Sequence, residues 1–189
     1  MSAIYLLIVF AVWVGLTWAL WRLWWRWRVK EGGNRLLRDT LAFVIGALWL
    51  GASFWYAGGQ TYYYDAQVNR LCAQDGGIKI HEKVRLPADT FDTYAGRNWV
   101  LPDKARLKPE DEYYIETDRR YFRQGNPEFS RNQHRIIRRS DGKVLAELVR
   151  YGRGGGDLPG PWHGSSFSCP DPRVTGGFEA SVFMRGDTK

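Results

Sequence analysis

Two uncharged stretches decide the architecture: AIYLLIVFAVWVGLTWALW, residues 3–21, and TLAFVIGALWLGASFWYAG, residues 40–58. Neither contains Asp, Glu, Lys or Arg. As helices rising about 1.5 Å per residue, each reaches roughly 28 Å, close to the ~30 Å hydrocarbon core of a bilayer. A soluble domain of this size rarely hides two such helices, so the pair reads as a transmembrane hairpin. The remainder of the 189-residue chain suffices for one outer domain.

The average composition, 44% hydrophobic and 25% charged, conceals this division. Eight of the ten tryptophans precede Gly59. Residues 1–58 hold six Lys/Arg and two Asp/Glu, whereas residues 59–189 hold 21 and 18; the nets of +4 and +3 make up the chain's +7. Such a distribution excludes a single soluble domain, a disordered or collagen-like chain, a disulfide-dense miniprotein and a polytopic transporter. A cleaved signal peptide is a poor reading too. The first stretch has no basic residue before it, and cleavage after Ala57 would put the bulky Trp55 at the −3 position.

The intervening RLWWRWRVKEGGNRLLRD, residues 22–39, carries Arg22, Arg26, Arg28, Lys30, Arg35 and Arg38 against Glu31 and Asp39. Short basic loops stay cytoplasmic, and the outer flanks are almost free of Lys and Arg. These six residues therefore set the topology, with the loop inside and both hairpin ends outside. Trp21, Trp24, Trp25 and Trp27 suit the inner interface; Trp55, Tyr56 and Tyr62 to Tyr64 suit the outer one. Small residues at four-residue spacing (Ala11, Gly15 and Ala19; Ala42 with Gly46; Ala47 with Gly51) allow close helix packing, within the hairpin or in a homo-oligomer.

Cys72 and Cys169 form no C-x-x-C and have no His or Cys partners at zinc-ligand spacing, so neither a redox motif nor a metal site is expected. Standing near the two ends of the outer domain, they read as a structural disulfide, which requires an oxidising compartment. Closing so long a loop contributes about 4–5 kcal/mol in the chain-entropy model.

Residues 59–77 read as a stalk helix ending at Gly76-Gly77. In residues 78–86, IKIHEKVRL, alternation puts Ile78, Ile80, Glu82, Val84 and Leu86 on one face of a strand. Pro87 then opens a short helix. Residues 112–122, EYYIETDRRYF, are β-prone. Residues 133–152 form two strands around Ser140-Asp141-Gly142-Lys143, where Asp-Gly supplies the positive φ of a two-residue hairpin turn. A last strand is expected over residues 178–184, and the Gly/Pro-rich residues 152–177 read as one long loop. The expected fold is a two-helix transmembrane hairpin over residues 1–58, followed by an α+β, mainly antiparallel β, extracytoplasmic domain over residues 78–189.

No segment matches a motif of catalysis. Residues 151–170, YGRGGGDLPGPWHGSSFSCP, lack the Gly-Lys-Ser/Thr of a P-loop. Asp157 replaces the third glycine of a dinucleotide fingerprint, and Ser168 replaces the last glycine of a nucleophile elbow. His81, His134 and His163 are isolated along the chain. The loop reads instead as a recognition surface, with Trp162 as an anchor and Arg153 as an exposed polar contact. Arginines crowd positions 119–139, namely Arg119, Arg120, Arg123, Arg131, Arg135, Arg138 and Arg139. On strands they alternate faces, so only some can share a patch facing an anionic leaflet or an acidic partner.

LCAQDGGIKIHEKVRLPADTF (residues 71–91) and IIRRSDGKVLAELVRYGRGGGDLPGPW…SSFSCP (residues 136–170) resemble stretches of uncharacterised small membrane-anchored proteins of proteobacteria. The resemblance implies a bacterial inner-membrane setting and brings no activity or catalytic residue; with the Arg/Lys asymmetry, the C-terminal domain is then expected in the periplasm. The expected function is binding of a protein partner in or next to the membrane, as exclusion or immunity proteins and accessory subunits of envelope complexes do, without cofactor or nucleic acid. The rival class is a membrane-tethered envelope enzyme such as a hydrolase, which would need one of the three histidines to meet a carboxylate in a pocket.

Overall fold

The computed structural model describes residues 2–29, 34–96, 100–158 and 164–186. Two compact units emerge: Met1–Gln60 with Gly156–Gly164, and Thr61–Gly155 with Ser165–Lys189.

The first unit contains two helices long and apolar enough to cross a membrane, α1 (Ser2–Val29) and α2 (Arg35–Phe54). Asn34 caps α2, its side chain accepting from the Leu36 amide at 3.1 Å. A π-helical turn, Trp55–Gly59, follows α2. None of the side chains of α2 is buried. Near mid-hairpin the helices share a closed cycle of four hydrogen bonds, two of which cross between them. Trp13 Nε1 donates to Ser53 Oγ (3.0 Å), which donates to the Trp49 carbonyl (2.8 Å). Trp49 Nε1 donates to Thr17 Oγ1 (3.2 Å), which returns to the Trp13 carbonyl (2.8 Å). The W-x-x-x-T and W-x-x-x-S spacings make this possible, because residues four apart stack on one helix face. The glycines of these helices make no close backbone approach within the hairpin: a methyl group on Gly15, Gly46 or Gly51 would meet nothing within 4 Å. The expected basic loop is mostly helical: Arg22, Arg26 and Arg28 lie in α1 and Arg35 and Arg38 in α2, with Arg28 3.7 Å from Asp39 and Arg38 donating to the Trp27 carbonyl at 3.2 Å. Lys30 lies outside the described residues.

The second unit is a mainly antiparallel β domain. Helix α3 (Gln60–Asp75) leads to strands β1 (Gly77–Ile80) and β2 (Val84–Leu86), then helix α4 (Ala88–Gly96). Strands β3 (Tyr113–Arg123), β4 (Glu128–Arg138) and β5 (Val144–Gly154) follow, then β6 (Ser166–Cys169), the short helix α5 (Pro172–Thr175) and β7 (Phe183–Arg185). The main sheet runs β1-β5-β4-β3, with β6 sharing the edge of β5 that β1 also pairs. A separate parallel pair joins β2 to β7.

Strand β5 is covered on both sides. Val149 and Tyr151 pack with Phe129 against Val68 and Cys72 of α3. Ala146 and Leu148, pointing the other way, join Ile136, Tyr113 and the C-terminal Phe178, Val182 and Phe183. Helix α3 is therefore a layer of the domain rather than a free stalk. It stops as the sequence implies: a methyl on Gly76 would sit 2.6 Å from the Cys72 carbonyl oxygen, and Gly77 takes a φ of 117°.

Several expected elements differ in extent. Residues 78–86 form two strands in two sheets, because the His81 and Glu82 amides both turn onto the Leu145 carbonyl (2.8 and 3.0 Å) and end the first ladder. The β4–β5 turn spans residues 139–142 rather than two residues; Gly142, at φ 68°, closes it as its amide meets the Arg138 carbonyl. The last strand is confined to Phe183–Arg185, because residues 176–182 coil into turns that drive Phe178 and Val182 into the core. The stretch 152–177 is not one loop: β5 extends through Gly154, and β6 and α5 lie beyond it.

Candidate functional site

Arg153 is the most constrained polar residue of the outer domain. It follows Val149 and Tyr151 on the α3-facing side of β5, and its side chain is 4% exposed. Nε donates to Asp65 Oδ1 at 2.6 Å and Nη2 to Asp65 Oδ2 at 3.4 Å. Nη1 reaches Ser165 Oγ (3.0 Å), the Ser165 carbonyl (3.3 Å) and the Gly155 carbonyl. A planar guanidinium can hold a carboxylate with one fork and backbone oxygens with the other; an ammonium cannot. The expectation of an exposed Arg153 is thus corrected: its donors are turned inward.

These bonds close the base of a loop. The Gly155 amide also donates to the Ser165 carbonyl at 2.8 Å. Four residues beyond Ser165, Cys169 is bonded to Cys72 of α3, with a Cα–Cα distance of 5.9 Å. Residues 156–164 therefore leave and re-enter the domain at one fixed place. Trp162 and His163 lie outside the described residues.

A second polar chain crosses the same face. Asp75 accepts from the Tyr151 hydroxyl (2.7 Å) and from Arg131 Nη2 (3.2 Å). Arg131 also donates to Gln133 (3.0 Å), and Gln133 to Glu147 (3.4 Å). His81 Nε2 ends the chain 4.0 Å from Glu147, with its side chain 48% exposed. Burial, reinforced by Asp75, pushes the Tyr151 phenol above its ordinary value. The chain braces α3 against the sheet through Asp75.

On the opposite face, His134 Nδ1 lies 3.0 Å from Thr117 Oγ1. Burial, and then the charges of Arg150 and Arg119, push its pKa below 6.5. Arg150 bonds Thr175. No His134–carboxylate ion pair exists among the described residues. Nor do three metal-ligating side chains cluster among them.

The arginines between 119 and 139 divide sharply. Arg131 pairs with Asp75, Arg135 with Glu116 (2.9 Å), and Arg138 with both Glu82 and Asp141. Arg139 donates to the Lys108 and Pro109 carbonyls. Arg119, Arg120 and Arg123 have no carboxylate within 4.0 Å among the described residues and lean instead on aromatic rings.

The chain matches no protein-family model, no curated protein and no solved structure. Sequence reasoning found the disulfide but missed Asp65 and Ser165. The only signal in the chain was the isolated acid Asp65 on an otherwise tyrosine-rich helix start.

Proposed function

We propose that this chain is a multi-pass bacterial inner-membrane protein, anchored by the α1–α2 hairpin, whose C-terminal domain binds a protein partner from the periplasm through residues 156–164. The reading is carried by one observation: the base of that loop is held by the buried Arg153 paired with a half-buried Asp65 and, close by, by the disulfide. A segment whose ends are fixed loses less conformational freedom when a partner engages it, and so keeps more of its contact energy as affinity. The asymmetry of Arg and Lys around the hairpin and the disulfide's need for an oxidising space independently support the same orientation.

The enzyme reading has less support. Among the described residues, only His81 approaches a carboxylate, and its side chain is half exposed. A photo-crosslinking amino acid placed at Trp162 in intact cells tests the proposal. A discrete protein adduct is expected from position 162 and none from Asp141 on the distant β4–β5 turn, and Arg153→Leu should abolish the adduct. Lack of any adduct at 158, 162 and 164, in protein with its disulfide intact, would defeat the binding reading.

A further inference from the structure

The three arginines without an acidic partner lie at one end of the sheet, beside the β3–β4 turn. Arg119 Cζ stands 6.0 Å from the centre of the Tyr121 ring, Arg120 Cζ 5.7 Å from Phe122, and Arg123 Cζ 5.3 Å from Tyr64. Arg123 also donates to the Tyr64 hydroxyl at 2.5 Å, tying this end of the sheet to the first turns of α3. Tyr121 and Phe122 are 40% and 46% exposed, and Tyr62 and Tyr63 are 82% and 50% exposed. Two acids stand nearby, Asp118 and Glu128; three arginines outnumber them.

Arg119 donates to Asn132 Oδ1 at 2.7 Å and Arg123 to Tyr64 and the Asn126 carbonyl, so these guanidiniums have neutral partners but no carboxylate within 4.0 Å among the described residues. Exposed rings interleaved with such guanidiniums suit a layer that is apolar below and anionic above. Tyr64 follows the uncharged stretch ending at Gly58 by six residues, which cannot span more than about 20 Å. Arg123 is bonded to that tyrosine. We propose that this tip, formed by Tyr62, Tyr63, Arg119, Arg120, Tyr121 and Phe122, rests in the headgroup layer of the bilayer that holds the hairpin, with its arginines on lipid phosphates. The inference rests on the membrane anchoring proposed above. It concerns a surface other than the 156–164 loop. Rings on both faces of β3, so close in sequence to an apolar helix, favour lipid over an acidic protein as the occupant.

The test uses the full-length chain, disulfide closed, in bilayer discs of phosphatidylethanolamine and phosphatidylglycerol. Spin labels are placed singly at Tyr121→Cys, Gln124→Cys, Asp141→Cys and Leu48→Cys. Accessibility to oxygen and to a nickel chelate is read by power saturation. The ratio of oxygen to nickel access should be several-fold higher at 121 and 124 than at 141. Combining Arg119→Glu with Arg120→Glu should bring it down toward the value at 141. Equal ratios at 121, 124 and 141 would overturn the proposal. So would low access to both reagents at 121 with no response to charge reversal, which signals protein contact. A water-exposed label at Leu48 would overturn the anchoring as well; a lipid-exposed Leu48 with water-exposed 121 and 124 would defeat the tip alone.

Discussion

The hairpin and the outer domain are held together by opposite means. In the hairpin the apolar side chains point outward, and the helices share a cycle of four hydrogen bonds among Trp13, Thr17, Trp49 and Ser53. In the outer domain Ile136, Leu145, Leu148 and Phe183 close inward, and the polar bonds of Arg153, Asp75 and Arg131 lie along one face of the sheet. The difference teaches what each solvent leaves undecided. In the bilayer proposed for the hairpin, lipid would give an apolar side chain no reason to choose a neighbour, and specificity would fall to polar bonds that lack water as a competitor. Water drives apolar groups together without direction, and the directional bonds then fix how α3 lies on the sheet.

The contrast is tested most strongly at the disulfide. Replacing Cys72 and Cys169 by alanine opens a constraint spanning 97 positions and should cost the outer domain about 4–5 kcal/mol. Denaturant titration of the full chain should show the β signal melting early while the helical signal of the hairpin persists. If both melt together at an unchanged midpoint, the two regions are not held separately.

Next in size, Arg153→Leu should cost about 3 kcal/mol, because Asp65 loses its charge partner and two carbonyls lose their donor. Adding Asp65→Asn should cost less than the sum of the single changes, and Arg153→Lys should recover less than half of the loss. Full recovery by lysine would show that charge alone, rather than the forked geometry, matters.

In the hairpin, Thr17→Val with Ser53→Ala removes both hydroxyls of the cycle. The expected loss is about 1 kcal/mol of helix–helix association, read by steric trapping or thermal melting in bilayer discs. An unchanged hairpin would mean that side-chain packing alone sets its register.

The smallest effect concerns pH. His134 has its pKa lowered in the fold by burial and by Arg150 and Arg119, so the folded domain binds fewer protons than the unfolded chain just below pH 6.5. Its contribution is present above the unfolded value and is lost as pH falls through 6.5 toward the lowered folded value. The melting temperature should therefore drop between pH 7.5 and 5.5 in the native chain, and drop less in His134→Gln.

What could be read from the chain follows from how local each signal is. The uncharged stretches, the Pro87 helix start, the turn around Gly142 and the cysteine pair each speak within a few residues or by elimination. Residues 78–86 misled because alternation persists across a break whose cause, the Leu145 carbonyl, lies some sixty positions away. Strand β6 was invisible because four residues of Ser, Phe, Ser and Cys carry no usable period. Arg153 was misjudged for the same reason: an arginine reads as surface until the Asp65 that receives it, 88 positions earlier, is seen opposite. The arginine-rich run could be identified as basic from the sequence, but only the pairing of its members separated Arg119, Arg120 and Arg123, with no carboxylate within 4.0 Å among the described residues, from the other four.

The closed base between Gly155 and Ser165 has a consequence for how this protein can change. Arg153 and the Gly155 amide fix where the chain departs and returns, and the buried Gln60 side chain donates to the Gly156 carbonyl at 2.9 Å, so the closure of the segment between them is set at its two ends. Doubling its length would cost only about 0.6 kcal/mol on that account. Descendants of this sequence can therefore exchange, lengthen or shorten residues 156–164 as a cassette, and acquire new specificities, while the scaffold beneath stays as it is.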